Sequence, residues 1–401
     1  MFIEAIFIFA LVVSVINHLR QQRHFDVSQE DKAMEEPIRN KELNVVELSE
    51  ERCLDQLQSP LFAVLSGEIR DLIFAYALAD YEDTSRMYDE KTCYRRPNYF
   101  APRRSDTALL RTCQRVYREA WFRPWTSAEH TFYLTAAQRR PGRVATIESM
   151  QPTLNLLHRI HGDVEVDSIR IFPQLYMLES GANVTPILRM DHFQPRTITI
   201  TIRHTDWWYW ESDEALHVRA PWVRTCRFPN SVREIRVELE SLERKKDEVD
   251  NMASQMVEKW VFQRNDGTVL SAQGVPLETT RWSGSSTWND ERWIRDESRP
   301  ETLDYYVATV TWKNVRKGPA EEAQPVALAP DLRAQIEKPR MNGPDNAVRV
   351  HELQAAGISS GYTADEVRER LGDYRSEQRA MRRREHTLLR RSRRQMALTQ
   401  T

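Results

Sequence analysis

The chain is poor in the features that announce chemistry. Of its 401 residues only four are cysteines, Cys53, Cys93, Cys113 and Cys226, and no two have the C-x-x-C spacing of a zinc or thioredoxin-like site. Thiols scattered in this way argue against a disulfide framework and fit a reducing compartment. There is no G-x-G-x-x-G, no phosphate-loop lysine, no G-x-S-x-G, no H-E-x-x-H and no kinase signature. The reading therefore leans away from an enzyme, and no cofactor or metal is expected. Formal charge is only −2, so the field of the whole molecule selects no class of partner.

Long apolar runs are also scarce. Residues 5–16 carry Ser14 as their one polar side chain. A spanning helix needs about 20 apolar residues, and residues 1–19 approach that only by tolerating Glu4. A basic leader and a small-x-small cleavage site, the marks of a secretory signal, are absent. Residues 1–19 are thus read as a marginal membrane anchor. Arg20, Arg23 and Lys32 on its far flank would leave a cytosolic body. The alternative is an intracellular chain, cytoplasmic or nuclear.

What is present is a tryptophan-rich middle. All eleven tryptophans fall between Trp121 and Trp312, and large aromatics gather where a core exists. Residues 20–58 are acidic and weakly patterned, a linker. In residues 59–79, SPLFAVLSGEIRDLIFAYALA, the residues Ile69, Leu72, Ile73, Tyr76 and Ala77 share one helical face. Ser66 stands where it can cap that helix, and Glu68 suits its dipole. A second helix is expected over 107–121, with Asp106 as its cap. The polar, proline-punctuated stretch between the two reads as a long exposed loop.

Two stretches, LSGEIRDLIFAYAL and LLRTCQRVYREAW, followed by a strand carrying Phe132, resemble a family of uncharacterised fungal proteins with an F-box-like N-terminal segment. The matching residues are Leu65, Glu68, Ile69, Arg70 and Ile73, then Leu109, Leu110, Cys113, Val116, Tyr117, Glu119 and Ala120. Ser66 stands where the family usually has proline, and Phe74 where it has tyrosine. The resemblance is specific over residues 59–135. It implies a short helical module that docks onto the Skp adaptor of a cullin ubiquitin ligase, while the rest of the chain holds a substrate. Leu61, Phe62, Leu65, Ile69 and Ile73 are the docking residues it points to. Each also has a competing role in packing.

From residue 126 to 315, strand and helix signals mix. Strands are expected at 130–135, 167–172, 196–204, 231–240 and 303–312, and helices at 146–160 and 242–259. A hairpin is expected across Asn265-Asp266-Gly267. The strand of 196–204 alternates strictly, Ile198, Ile200, Ile202 and His204 against Thr197, Thr199, Thr201 and Arg203, the pattern of a half-buried strand. The fold class is α+β: an F-box-like helical segment (59–125), a mixed twisted sheet with packed helices (126–315), a linker (316–361) and a basic helix (362–398).

Three clusters merit a functional reading. His204, Asp206 and Glu211 stand among Trp207, Trp208 and Trp210, where acid–base chemistry in a tryptophan-walled pocket competes with ordinary core closure. His158 and His161 with Asp163 form the nearest approach to a metal set, although Gly162 ends the helix they share. Residues 281–297 read as a flexible loop pinned by Trp282, Trp288 and Trp293. Finally, nine arginines oppose two glutamates between residues 375 and 395. Arg382, Arg383, Arg384, Arg390, Arg391, Arg393 and Arg394 form a patch for nucleic acid or anionic lipid, blind to sequence for want of interleaved aromatics. The leading expectation is a non-enzymatic interaction protein; the alternative is a binder of nucleic acid or anionic surfaces.

Overall fold

The computed structural model describes residues 53–314, 329–334 and 346–398, with side chains to residue 390. It divides into two compact units, the first comprising residues 53–80 and 105–127 and the second residues 81–104 and everything described from 128 onward.

In the first unit a turn of helix at Pro60–Ala63 precedes α1, Gly67–Ala77. Ser66 sits at the N-cap of α1 in extended backbone, but its side chain makes no capping bond. The expected helix over 107–121 is split. Asp106 accepts from the amide of Ala108 at a short 3-10 turn, Ala108–Arg111, then Cys113 is fully extended and α2 covers only Gln114–Ala120. Phe62, Phe74, Leu78, Val116 and Ala120 form the core between the pieces. Arg70 ties α1 to α2 through a forked pair with Glu119, 2.7 and 3.1 Å, and donates to the carbonyl of Leu65 at 2.8 Å. The guanidiniums of Arg70 and Arg115 both lie over the Phe62 ring.

The second unit confirms the mixed α+β class. Its sheet contains β1 (Glu129–Leu134), β2 (Val166–Pro173), β3 (Pro195–Ile202), β4 (Glu234–Leu242), β5 (Val261–Gln263), β6 (Val269–Ser271), β7 (Glu278–Ser285) and β8 (Thr302–Asn314). Strands β1 to β4 lie side by side in chain order and all parallel. The long β8 runs antiparallel to β4, and its other edge is shared by β7 and β6. The expected hairpin joins β5 to β6, with Gly267 at φ 83° supplying the left-handed turn.

The crossover from β1 to β2 carries α3, Ile147–His161, opened by a reciprocal capping box between Thr146 and Ser149. The helix after β4, α4, is Lys246–Lys259, shorter than expected because the strand runs on to Leu242. It packs on β8 and β4 through Val249, Met252, Ala253 and Met256. The register puts Phe132, Ile169, Ile171, Ile198, Ile200, Ile202, Ile235, Val237 and Leu239 on this apolar face. All nine are buried.

The opposite face corrects the half-buried reading. Thr199 and Thr201 are as buried as the isoleucines beside them. Residues 81–104, expected as an exposed loop, close on themselves through Asp83 N to Pro102 O and Tyr88 N to Phe100 O, both 2.8 Å. They bury Arg96, Tyr99 and Ala101. Tyr99 meets Phe172 of β2 edge-on at 5.1 Å and joins a small cluster with Tyr133.

Two stretches taken for loop or linker are ordered by pairing. Residues 281–297 are strand and hairpin, not loop: β7 pairs with β8 throughout, and Thr287–Trp288 turns back on Glu291–Arg292 through Asn289 and Asp290, both at positive φ. Val348–Arg349 adds a third strand to that hairpin, and Leu332–Arg333 pairs with His217–Val218. The last helix, α5, Ala364–Leu398, begins with the capping box of Thr363 and Glu366. Its first turns anchor Val367 and Leu371 in a cluster with Ile294, Val348, Leu353 and Ile358.

The membrane expectation is corrected. Among the described residues no helix is long and apolar enough to cross a membrane, and a membrane partner is carried no further. Residues 1–19, on which it rested, lie outside the described residues, as do most of the linkers at 20–58 and 316–361.

Candidate functional site

In the first unit, α1 carries three exposed apolar side chains. The five expected docking residues do not share one exposure. Phe62 (8% exposed) and Ile73 (9%) belong to the interior, while Leu61 packs against the core and Leu65 is partly buried. Ile69 is 44% exposed and is joined by two residues that the sequence pattern placed on its helical face, Leu72 (57%) and Tyr76 (73%). These three stand at i, i+3 and i+7 and form one apolar stripe. The helix is apolar over a wide arc: Phe74 and Leu78 turn into the core, Ile73 is buried beside the stripe, and the stripe turns out. The exposed and buried parts of the arc adjoin, so apolar periodicity does not separate them.

In the second unit, polar side chains converge on the sheet face under residues 81–104. Glu238 accepts from Arg170 Nη1 at 2.6 Å, from Thr201 Oγ1 at 2.7 Å and from Arg96 Nη2 at 3.4 Å. Arg170 also reaches Glu129 at 3.3 Å, and Arg96 reaches Glu240 at 3.3 Å. Although burial alone would raise it, the guanidiniums of Arg170 and Arg96 hold the Glu238 carboxyl down at about 2.

At the carboxyl end of β3 the chain passes through Arg203, His204 and Asp206. Asp206 is held by Arg203 at 2.6 and 3.1 Å and by Arg139 at 3.3 Å. Two cavities flank this corner. One, of about 40 Å³, is lined by Cys93, Arg96, His204, Trp282, Trp288 and Tyr305, among others. The other, of about 180 Å³, is lined by Arg139, Asp206, Trp208, Trp210 and Glu211, among others.

The enzyme reading needed His204, Asp206 and Glu211 to act together, and the structure separates them. His204 faces one cavity, Asp206 and Glu211 the other. Asp206 is fully committed to arginines. His204 is buried edge-on to Trp210 at 5.3 Å, with no hydrogen-bond partner on either ring nitrogen. Burial pushes its pKa down to about 3; Asp296 opposes this, while Arg244, Lys245 and Arg295 add to it. The imidazole is therefore neutral at physiological pH. Trp207 donates to the Glu240 carbonyl at 2.9 Å and Trp208 to Glu179 at 2.9 Å. Trp207 is buried in the core, and Trp208 is partly exposed and lines the larger cavity.

Two further sets were expected. His158 pairs with Asp163, Nδ1 to Oδ1 3.0 Å, but its ring neighbour is His192, stacked at 3.6 Å, and not His161. No sequence-local signal links residue 192 to residue 158. On α5, Arg382, Arg383, Arg384 and Arg390 are all exposed. The side chains of Arg391, Arg393 and Arg394 lie outside the described residues.

No protein-family model, curated protein or solved structure matches this chain.

Proposed function

We propose that this chain is a non-enzymatic interaction protein whose first unit is an F-box-like module that docks, through the outward stripe of α1, onto the Skp adaptor of a cullin ubiquitin ligase. The observation that carries the reading is the stripe itself: Ile69, Leu72 and Tyr76 stay exposed on a helix that already has a complete buried side. An amphipathic helix with an exposed apolar stripe is suited to lie in a partner's groove. Of the motif residues, Ile69 belongs to the stripe, while the Arg70–Glu119 fork serves the scaffold, since it locks α1 against α2. The second unit, with its occupied polar network and divided His–Asp–Glu set, supplies a rigid body for holding a target.

Co-purification tests this. The wild-type chain is expected to retain the Skp adaptor. Leu72→Asp and Tyr76→Asp should abolish retention at unchanged thermal stability, because exposed substitutions typically alter stability by no more than about 0.5 kcal/mol. A wild-type chain that captures no adaptor removes the recruiting role.

One observation favours a second reading, in which α5 contacts nucleic acid: Arg382, Arg383, Arg384 and Arg390 are exposed together. Binding to mixed-sequence RNA should then weaken steeply with salt and vanish when residues 375–396 are deleted.

A further inference from the structure

The stacked histidines at the end of α3 form a cluster that the docking function does not use. His158, Asp163 and His192 are the one group among the described residues whose His, Cys, Asp or Glu ligand atoms come close enough to share a metal ion, all within 4.8 Å. Three features hold them there. Gly162 ends α3 at φ 75°, a left-handed turn that swings Asp163 back to Nδ1 of His158. On a separate segment, just before β3, Met190 and Phe193 are buried on either side of His192, which is itself held at φ 58°. Gln151, two turns before His158 on α3, clamps the intervening backbone: its amide donates to the Asp191 carbonyl and accepts from the Asp191 amide, both 3.1 Å. The clamp presses the turn carrying His192 onto the helix face carrying His158.

We propose that His158, His192 and Asp163 bind a divalent transition ion of the zinc class. Two imidazoles and one carboxylate are a borderline donor set that suits Zn²⁺ or Co²⁺ over Mg²⁺ or Ca²⁺. With bonds of about 2.0–2.2 Å, tetrahedral ligands stand about 3.4 Å apart. The cluster needs only modest contraction. The rings, parallel within 10°, must tilt so that both lone pairs converge. The side chains are free to do so, since the cluster lies at the surface and His158 is 43% exposed. Three protein ligands leave a fourth position to water.

Titration of Zn²⁺ into the full chain, followed by calorimetry, tests the assignment. His158→Ala and His192→Ala are each expected to weaken binding at least tenfold, while His161→Ala, which alters the histidine nearest in sequence, leaves it unchanged. Gln151→Ala should give a smaller loss, and Gln151→Glu, which still accepts from the Asp191 amide, should recover part of it. Co²⁺ bound at the site should lack the near-ultraviolet charge-transfer band of thiolate ligation, which separates this set from the four cysteines. Undiminished affinity in the His158→Ala/His192→Ala double variant, equal loss in His161→Ala, or no Zn²⁺ binding by the wild-type chain at micromolar concentrations overturns the proposal. Circular dichroism without metal confirms that each surface variant remains folded.

Discussion

The two faces of the central sheet are built in opposite ways, and the apolar one is the more completely buried. On one, isoleucines and valines meet the helices, and burial is worth about 25 cal/mol per Å² with no geometric demand. On the other, Glu129, Arg170, Thr201 and Glu238 are shielded by a 24-residue excursion, 81–104, that supplies Arg96 and Tyr99. In a network of this kind each buried charge depends on its partner, because removing one leaves the other uncompensated. The apolar face therefore tolerates small changes, and the polar face does not.

The largest expected effect comes from taking away one carboxylate. Glu238→Ala leaves Arg170 and Arg96 buried with their shared partner gone, a loss of about 3–5 kcal/mol. On the facing side of the same sheet, Ile200→Val removes one methylene at a fully buried position and should cost about 1 kcal/mol. Urea unfolding of both variants measures the contrast directly. Equal losses would show that the polar face is no more exacting than the apolar one.

The contrast also explains what was legible in the sequence. The isoleucine alternation of 196–202 located a strand and its core face correctly, because apolar periodicity is local information. It could not show that Thr199 and Thr201 are buried too, since their cover comes from residues about 100 positions earlier. The stretch 81–104 reads as loop because its polar residues have no local partners; Arg96 finds Glu238 and Glu240 across 142 and 144 positions. The same limit applies to the sites. The outward stripe of α1 was visible as apolar residues, but which of them faced a core depended on α2. His192 joins His158 only through the tertiary clamp of Gln151.

A second prediction separates the groups by pH. His204 carries a folded pKa near 3 against an ordinary value of 6.5, because burial disfavours its charged form. The unfolded chain then binds more protons than the folded one below pH 6.5, so stability falls as pH drops through that range. Glu238, with a folded pKa near 2 against 4.5, contributes stability that is complete above pH 4.5 and lost only as pH falls from there toward 2. The limb between pH 6.5 and 5 therefore belongs to His204 and amounts to about 2 kcal/mol. Chemical denaturation at a series of pH values should show that limb in the wild-type chain and a flat response in His204→Phe, with the steep fall below pH 4.5 kept. A limb that persists in the variant would assign it elsewhere.

A smaller effect than loss of Glu238 tests where the polar face closes. Trp282 of β7 lies flat on Tyr305 of β8, centroids 4.2 Å apart and 14° from parallel, and donates to Glu240 at 3.2 Å. Its indole leans over Gly284, two residues along on the same face. A methyl group there would sit 2.6 Å from Cζ3 of Trp282 and 3.3 Å from the Tyr305 ring. The glycine is required by this close approach, since its backbone does not occupy the left-handed region. Gly284→Ala must push the indole off Tyr305 and away from Glu240, and overpacking of this kind costs about 1–2 kcal/mol. The indole is partly exposed, so its displacement should also shift tryptophan emission to the red in the folded state. In a Trp282→Leu background the same glycine substitution should cost almost nothing, because the ring it collides with is gone. A full penalty in that background would mean that backbone freedom at residue 284, and not the stacked indole, sets the requirement for glycine.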